Sequence, residues 1–359
     1  MVKSIIDEGY NFYMAYKITA SERTNEKASD TETKALLYLM NFHPRKDDID
    51  FFVIDFFNDV TGTNCLQDEA FDVQAKGKNN MNPKQLGRAL VTLFKNYLSD
   101  LRFVDYILFV NGISSSSLLK DQKNILRIED FAPKAQKAIV EGLKAEAKKK
   151  TYIQQDLICD DKIENFLQQI SFVINDRTKE EYIRAIMQGE QFVIDDSDLY
   201  LQKIFDEIRK TQFAKKIPNV EGITIKYLSD FSKFNKHLSV NEIKLLVLSR
   251  LLNKNSLTES VPVSFVNYLA SINKNAIEQK ELIEDCSSKI FLMVYDKNNG
   301  SAYWKLFGDI YSLVKSPQCI DANIEMIYQL LPREEILAIR HLDRNAVLYF
   351  IALVKDSVK

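Results

Sequence analysis

The spacing of apolar residues changes near residue 176, and this change constrains the fold more than any other feature of the sequence. Before it, short aromatic and β-branched runs such as 51–57 and 105–113 alternate with segments of helical spacing. After it, strand-like runs become rare and helical spacing dominates. The order helix, strand, strand, helix, strand, helix, strand is typical of an α/β core with helices packed on a sheet. The sequence therefore predicts an α/β domain over 1–215 and a mostly α-helical domain over 216–359.

Individual elements follow from apolar spacing and from capping residues. The first part of the chain is predicted to contain a helix over 4–18, a loop over 20–33, a helix from Thr31 to His43-Pro44, strands over 51–57 and 69–76 joined through Gly62, a helix over 83–98, a strand over 105–113, a helix over 132–150 and a strand over 164–175. Further helices are predicted over 178–189, 197–213, 240–253, 261–270, 275–296, 302–315, 321–331 and 333–356.

Composition excludes several classes of protein. The net charge is -2, so a nucleic acid would have to be met by a local basic patch. No apolar run approaches the ~20 residues of a membrane span, and the N-terminus does not resemble a secretory signal. We therefore expect a cytoplasmic protein without membrane contact. The four cysteines and three histidines are scattered, so any metal ion would be held by oxygen ligands.

The residues that carry chemistry lie between Asp55 and Lys76. On the second predicted strand Asp72, Gln74 and Lys76 share one face, because side chains alternate along a strand. A half-buried lysine needs a partner of opposite charge. Asp55 and Asp59 are the candidates, because their side chains would lie on the same face if the preceding strand stays extended. The pattern D-x-Q-x-K alone can also arise on a solvated strand face. The two upstream carboxylates favour a functional site, whereas Asp72 is either a third ligand or, as the pattern favours, a solvated side chain.

This set of side chains is suited to phosphodiester hydrolysis. Carboxylates and an amide oxygen are ligands for Mg²⁺, and Mn²⁺ accepts similar ligands. The metal lowers the pKa of a bound water and offsets charge on the phosphoryl oxygens, while a lysine orients the water or stabilises the developing charge. We therefore predict Asp55, Asp59 and Gln74 as metal ligands. Asp59, Gln74 and Lys76 are the predicted catalytic residues.

These residues resemble the PD-(D/E)xK nuclease superfamily, whose core is restriction-endonuclease-like. Asp59 takes the position of the first motif, and Gln74-Ala75-Lys76 is a Q-x-K form of the second. The pattern is similar to the double-stranded DNA endonuclease domain of CD-NTase-associated effectors, which is also the nuclease subunit of Lamassu-type anti-phage systems. The resemblance covers about residues 1–210 in layout and is specific over 51–80. Asp55 departs from it, because a longer glutamate is usual there.

The resemblance implies an Mg²⁺-dependent DNA endonuclease that is an effector subunit of a bacterial defence complex. It also implies a homo-oligomer, activation by assembly, and an SMC-like ATPase and an accessory subunit as partners. The second half of the chain does not look like the cyclic-oligonucleotide sensor of the CD-NTase-associated effectors, which favours control by a partner. Two alternatives stay open: a non-catalytic interaction subunit with a degenerate nuclease fold, and a ribonuclease with the same site.

A local basic excess follows the Q-x-K motif. Between Lys76 and Ser99 there are five basic residues and no acidic one. The predicted DNA-contacting residues are Lys78, Lys84, Arg88 and Lys95. The last three are spaced to fall on one face of a continuous helix, so the segment predicts either a phosphate-binding surface or a solvated helix face.

Overall fold

The computed structural model describes residues 16–18, 26–119, 123–187, 198–254, 260–300, 302–319 and 321–358. The chain divides into two compact units. The first unit draws on 1–176 and 211–238, and the second on 177–210 and 239–359. The sequence prediction had a single boundary at 215, whereas in this division the chain passes between the units three times.

The first unit is an α/β structure, as predicted. Its strands are β1 (Tyr16–Lys17), β2 (Phe51–Ile54), β3 (Val60–Thr63), β4 (Ala70–Lys76), β5 (Phe103–Val110), β6 (Ile125–Leu126), β7 (Ile170–Ile174), β8 (Thr224–Ile225) and β9 (His237–Ser239). Seven of them form a mixed sheet in the order β6-β7-β5-β4-β3-β2-β9, and β1 pairs with β8. The central neighbours β4, β5 and β7 are parallel, whereas β2, β3 and β4 are antiparallel.

Among the described residues, five α-helices of the first unit precede β7. They are α1 (Glu26–Asn41), α2 (Pro83–Ala89), α3 (Val91–Tyr97), α4 (Pro133–Ala147) and α5 (Asp160–Gln169). The predicted start at Asn82-Pro83 is confirmed: the Asn82 side chain accepts from the Gln85 N–H, and the Gln85 side chain accepts from the Asn82 N–H. The predicted continuous helix is broken at Leu90, where α2 ends and α3 begins.

The second unit is helical, as predicted. Its helices are α6 (Lys179–Ile186), α7 (Asp198–Ala214, whose last turn lies in the first unit), α8 (Val240–Leu251), α9 (Val263–Ser271), α10 (Ala276–Tyr295), α11 (Ala302–Lys315), α12 (Ile324–Leu330), α13 (Arg333–Leu337) and α14 (Arg344–Ser357). All residues from Ala346 to Val354 are buried, so α14 is the central helix of this unit. The helix predicted over 333–356 is interrupted, and His341 there has a φ of 74°. None of the described helices is long and apolar enough to cross a bilayer.

Three predicted elements of the first unit were wrong. Gly62 lies within β3, a strand that the sequence did not predict and that pairs with both β2 and β4. Helix α1 begins at Glu26 and not at Thr31, while the predicted helix over 4–18 lies outside the described residues except at its end, which is strand β1. The strand predicted from residue 164 begins only at Ile170, because α5 occupies the preceding residues.

Candidate functional site

A five-residue connection between β2 and β3 places the first-motif aspartate. Strand β2 ends at Ile54, and Asp55 turns the chain with a left-handed φ of 51°. The Asp55 N–H donates to the Asp59 carbonyl at 3.2 Å and closes the turn. Aspartate is one of the few residues other than glycine that adopt this conformation readily. The condition that the strand stays extended through both aspartates is therefore not met, and both lie in the turn that follows β2.

Asp59 contacts the Q-x-K segment directly. Its Oδ2 accepts a hydrogen bond from the Ala75 N–H at 2.8 Å and another from the Gln74 side-chain amide. Burial raises the pKa of the Asp59 carboxyl, and the Lys76 ammonium is the largest of the charges that oppose this rise. Asp59 and Gln74 therefore meet at the carboxyl end of β4, and the charge of Lys76 acts on the Asp59 carboxyl.

A glutamate that the sequence analysis missed joins this group. Glu32 lies on α1, is 5% exposed and forms an ion pair with Lys216. Burial, together with the negative charge of Asp59, raises the pKa of Glu32 to about 7. We call Glu32, Asp55 and Asp59 the acidic cluster. One signal could have identified Glu32: it occupies the apolar stripe of α1 with Leu36 and Leu39, where an unpaired charge is costly.

Lys216 and a second lysine, Lys236, reach the acidic cluster from the segment between α7 and β9. Lys236 is 2% exposed, and its Nζ lies 3.9 Å from the Asp55 carboxylate and 3.4 Å from the Asp55 carbonyl oxygen. The same Nζ donates to the Lys216 carbonyl at 3.0 Å. Burial lowers the pKa of Lys236, and the Asp55 charge opposes that change. The acidic cluster is therefore surrounded by amines from Lys76, Lys216 and Lys236.

Asp72 is neither solvated nor positioned as a ligand. Its side chain is fully buried, and its Oδ1 accepts from the Thr61 hydroxyl at 3.0 Å. Its Oδ2 accepts from the amides of Asn96 at 2.6 Å and Asn58 at 3.4 Å. Burial raises the pKa of Asp72 to about 7, against these three hydrogen bonds. The prediction of a solvated side chain was wrong, because α3 and β3 cover this face of β4 and supply hydrogen-bond donors to it.

The predicted DNA-contacting residues do not share one environment. Lys78, Lys84 and Arg88 are exposed. Lys95 is 9% exposed, and its Nζ donates to the Tyr16 hydroxyl at 3.0 Å and to the Lys17 carbonyl at 2.9 Å. The break at Leu90 turns this lysine inward. The prediction of Lys95 as a DNA contact is therefore wrong for the folded chain.

The donor set fits a weakly held, hydrated magnesium ion better than a closed metal cage. Among the described residues, no three carboxylate, histidine or cysteine side chains form a preformed metal site. Mg²⁺ commonly uses one or two carboxylates and keeps several waters, so Asp59 and Glu32 or Asp55 would satisfy it. Gln74 directs its amide nitrogen at Asp59, and it would have to rotate its amide to present oxygen to a cation.

Comparison with known proteins identifies no relative: no family model, no curated protein and no solved structure matches this chain. Function must therefore be inferred from the site itself.

Proposed function

We propose that this chain is an Mg²⁺-dependent endonuclease, also supported by Mn²⁺, that hydrolyses phosphodiester bonds in double-stranded DNA. The observation that carries the proposal is the contact of Asp59 with Gln74 and the Ala75 N–H beside Lys76. A half-buried carboxylate and an amide at the end of β4 are a donor set for a cation, and the Lys76 ammonium places a positive charge nearby. The enclosed position adds to this, because charges act more strongly on a substrate where water is restricted.

Each residue has a distinct role in this proposal. Asp59, with Glu32 or Asp55, would hold the cation, and Gln74 would supply its amide oxygen after rotation of the side-chain amide. When bound, the cation supplies a water of lowered pKa and offsets the charge of the phosphate. Lys76 orients the attacking water and stabilises negative charge that develops on the phosphoryl group. The Ala75 N–H keeps the Asp59 carboxylate at the strand end throughout.

The biological setting is proposed from the resemblance of the Q-x-K segment. In that setting the chain is a cytoplasmic effector of a bacterial anti-phage defence complex that assembles as a homo-oligomer with an SMC-like ATPase and an accessory subunit. The helical unit is the part proposed to oligomerise or dock. Activation by assembly accounts for how a cell tolerates such a nuclease.

One observation favours a second candidate, a non-catalytic interaction subunit. Lysines already compensate the carboxylates of the acidic cluster, as in a structural ion-pair network. Such a network would need no metal and would bind none. Metal binding therefore separates the two candidates even when no cleavage is seen.

Two measurements test the proposal together. Supercoiled plasmid and an RNA of similar length are incubated with Mg²⁺ or with EDTA, using wild-type protein, Lys76→Ala and Lys137→Ala. Lys137 is an exposed lysine of α4 and serves as a matched control for loss of one charge. We expect Mg²⁺-dependent cutting of DNA that Lys76→Ala reduces at least ~100-fold and Lys137→Ala leaves unchanged.

Binding of Mn²⁺, followed by loss of the free-ion electron paramagnetic resonance signal, is the second measurement. Asp59→Asn should weaken binding in a protein that is inert without its partners. Equal cutting by wild type and Lys76→Ala, or no Mn²⁺ binding by wild type or by any charge variant of the site, would contradict the nuclease assignment. Preferential cutting of RNA would replace DNA as the substrate.

A further inference from the structure

The two lysines beside the acidic cluster lie where the chain passes between the two units. The segment Thr211–Leu238 belongs to the first unit, while the residues on both sides of it belong to the second. Helix α7 enters this segment and ends at Ala214, two residues before Lys216. Lys236 immediately precedes β9, which leads directly into α8. The helical unit is thus connected covalently to both amines at the site.

Contacts within the first unit hold this pair in place. The Ile54 N–H donates to the Lys236 carbonyl at 2.7 Å, which fixes the backbone beside the end of β2. The Lys236 Nζ then donates to the Lys216 carbonyl, and the Lys216 Nζ pairs with Glu32. The Lys216 side chain is only 10% exposed, so its charge is poorly screened by solvent. The amine of Lys216 also acts on Asp59, as its charge opposes the rise of the Asp59 pKa.

We infer that Lys216 is a tethered counter-ion that competes with a divalent cation for the acidic cluster, and that Lys236 positions it. The inference rests on the proposed function, because it assumes that these carboxylates bind a cation. Two cations cannot neutralise the same poorly solvated carboxylates independently, so occupation by the amine lowers the affinity for the metal. The amine need not leave the protein to be displaced, because it is the end of a flexible side chain.

Withdrawal of the amine would leave Glu32 uncompensated and raise the affinity of the acidic cluster for the metal.

The test compares Lys216→Met with Lys215→Met and Lys216→Arg in the full chain. Lys215 is the matched control, because it is adjacent and its Nζ donates to Asn235 and not to a carboxylate of the cluster. Mn²⁺ affinity is measured by electron paramagnetic resonance at constant pH and ionic strength. We expect roughly tenfold tighter binding by Lys216→Met, the size of effect of one nearby opposite charge, and wild-type affinity for both controls.

The outcomes separate the inference from the proposed function. Equal or weaker Mn²⁺ binding by Lys216→Met, relative to a wild type that binds, overturns the inference and leaves the nuclease assignment standing. No binding by wild type or any variant overturns both. If Lys216→Met unfolds in metal-free buffer, Mn²⁺ should refold it, as followed by circular dichroism, and failure to refold at a concentration that saturates wild type also overturns the inference.

Discussion

The Asp59 carboxylate accepts the backbone N–H of Ala75 at 2.8 Å, so the first-motif aspartate is anchored to the main chain of the strand that carries Gln74 and Lys76. No side-chain substitution on β4 can remove this donor, except one to proline. This backbone hydrogen bond therefore does not depend on the side chain at position 74, whose amide makes the second contact to Asp59. This separation allows the charge at position 74 to be changed while Asp59 stays in place.

Gln74→Glu should replace the hydrogen bond between Gln74 and Asp59 by a pair of carboxylates that needs a cation. The variant replaces an amide donor by a carboxylate against Asp59, so repulsion should lower the melting temperature in EDTA. Saturating Mn²⁺ should stabilise Gln74→Glu by about 1–3 kcal/mol more than wild type, measured by thermal unfolding with and without metal. Gln85→Glu is the control, because Glu serves equally well at this capping position of α2. Equal stabilisation of Gln74→Glu and wild type by Mn²⁺ would rule out a cation at this contact.

Lys95 should behave differently from the two exposed basic residues of α2. Lys84→Ala and Arg88→Ala should weaken binding to a DNA duplex and should each reduce the salt slope by about one. Lys95→Met should leave the salt slope unchanged and should destabilise the fold by about 1–3 kcal/mol, because the Tyr16 hydroxyl and the Lys17 carbonyl lose a donor. Fluorescence anisotropy across a salt series and urea unfolding measure the two effects. A reduced salt slope for Lys95→Met would place this side chain at the DNA after all.

Strand β4 and the start of α2 could be predicted because their signals are local. Alternation over Ala70–Lys76 and the capping sequence at Asn82-Pro83 each depend on residues close in the chain, and the strand and the helix start form where predicted. The contact of Asp59 with the strand that carries Lys76 was also predictable, since a lysine at the end of a buried strand requires a nearby partner. The burial of the Lys95 side chain could not be predicted, because it depends on a helix break at Leu90, and no proline or glycine at that position indicates such a break.

The remaining site residues depend on contacts between distant parts of the chain. Lys216 pairs with Glu32 across 184 positions, and Lys236 reaches Asp55 across 181. The sequence prediction placed a domain boundary at 215, and nothing local to Lys216 shows that it enters a site. Asp72 was misinterpreted for a related reason: its donors include Asn96, which lies on a helix 24 positions away. Alternation specifies the face of a strand but does not specify what covers it.

Asp72 should make the stability of the first unit decrease as pH rises from about 4 to 7. Its pKa is about 7 in the folded protein against an ordinary 3.8, so between these values the folded state binds more protons than the unfolded state. The charged carboxylate therefore costs stability, fully expressed above about pH 7 and absent below about pH 4. Unfolding free energies from urea titrations of wild type should fall relative to those of Asp72→Asn across this range, by at most on the order of 4 kcal/mol. Asp68→Asn, at an exposed position, is the control for the loss of one carboxylate. Parallel profiles for wild type and Asp72→Asn would show that Asp72 does not titrate in this range.

Gly87→Ala should destabilise the protein even though alanine is the better helix former. A Cβ at Gly87 would lie 2.0 Å from the Ile139 carbonyl oxygen and 2.9 Å from the Leu143 nitrogen, both of them backbone atoms of α4. Helix propensity favours alanine by about 1 kcal/mol, but separating two packed helices costs about 1–3 kcal/mol or more, so the clash should dominate.

The reciprocal contact is at Gly142, where a Cβ would lie 2.4 Å from the Lys84 carbonyl oxygen, so Gly142→Ala should lower the melting temperature as well. Because both substitutions force the same pair of helices apart, the double variant should lose less stability than the sum of the two single losses. A melting temperature of Gly87→Ala equal to or above that of wild type would contradict the close approach of α2 and α4, and with it the placement of Lys84 and Arg88 on the surface of this unit.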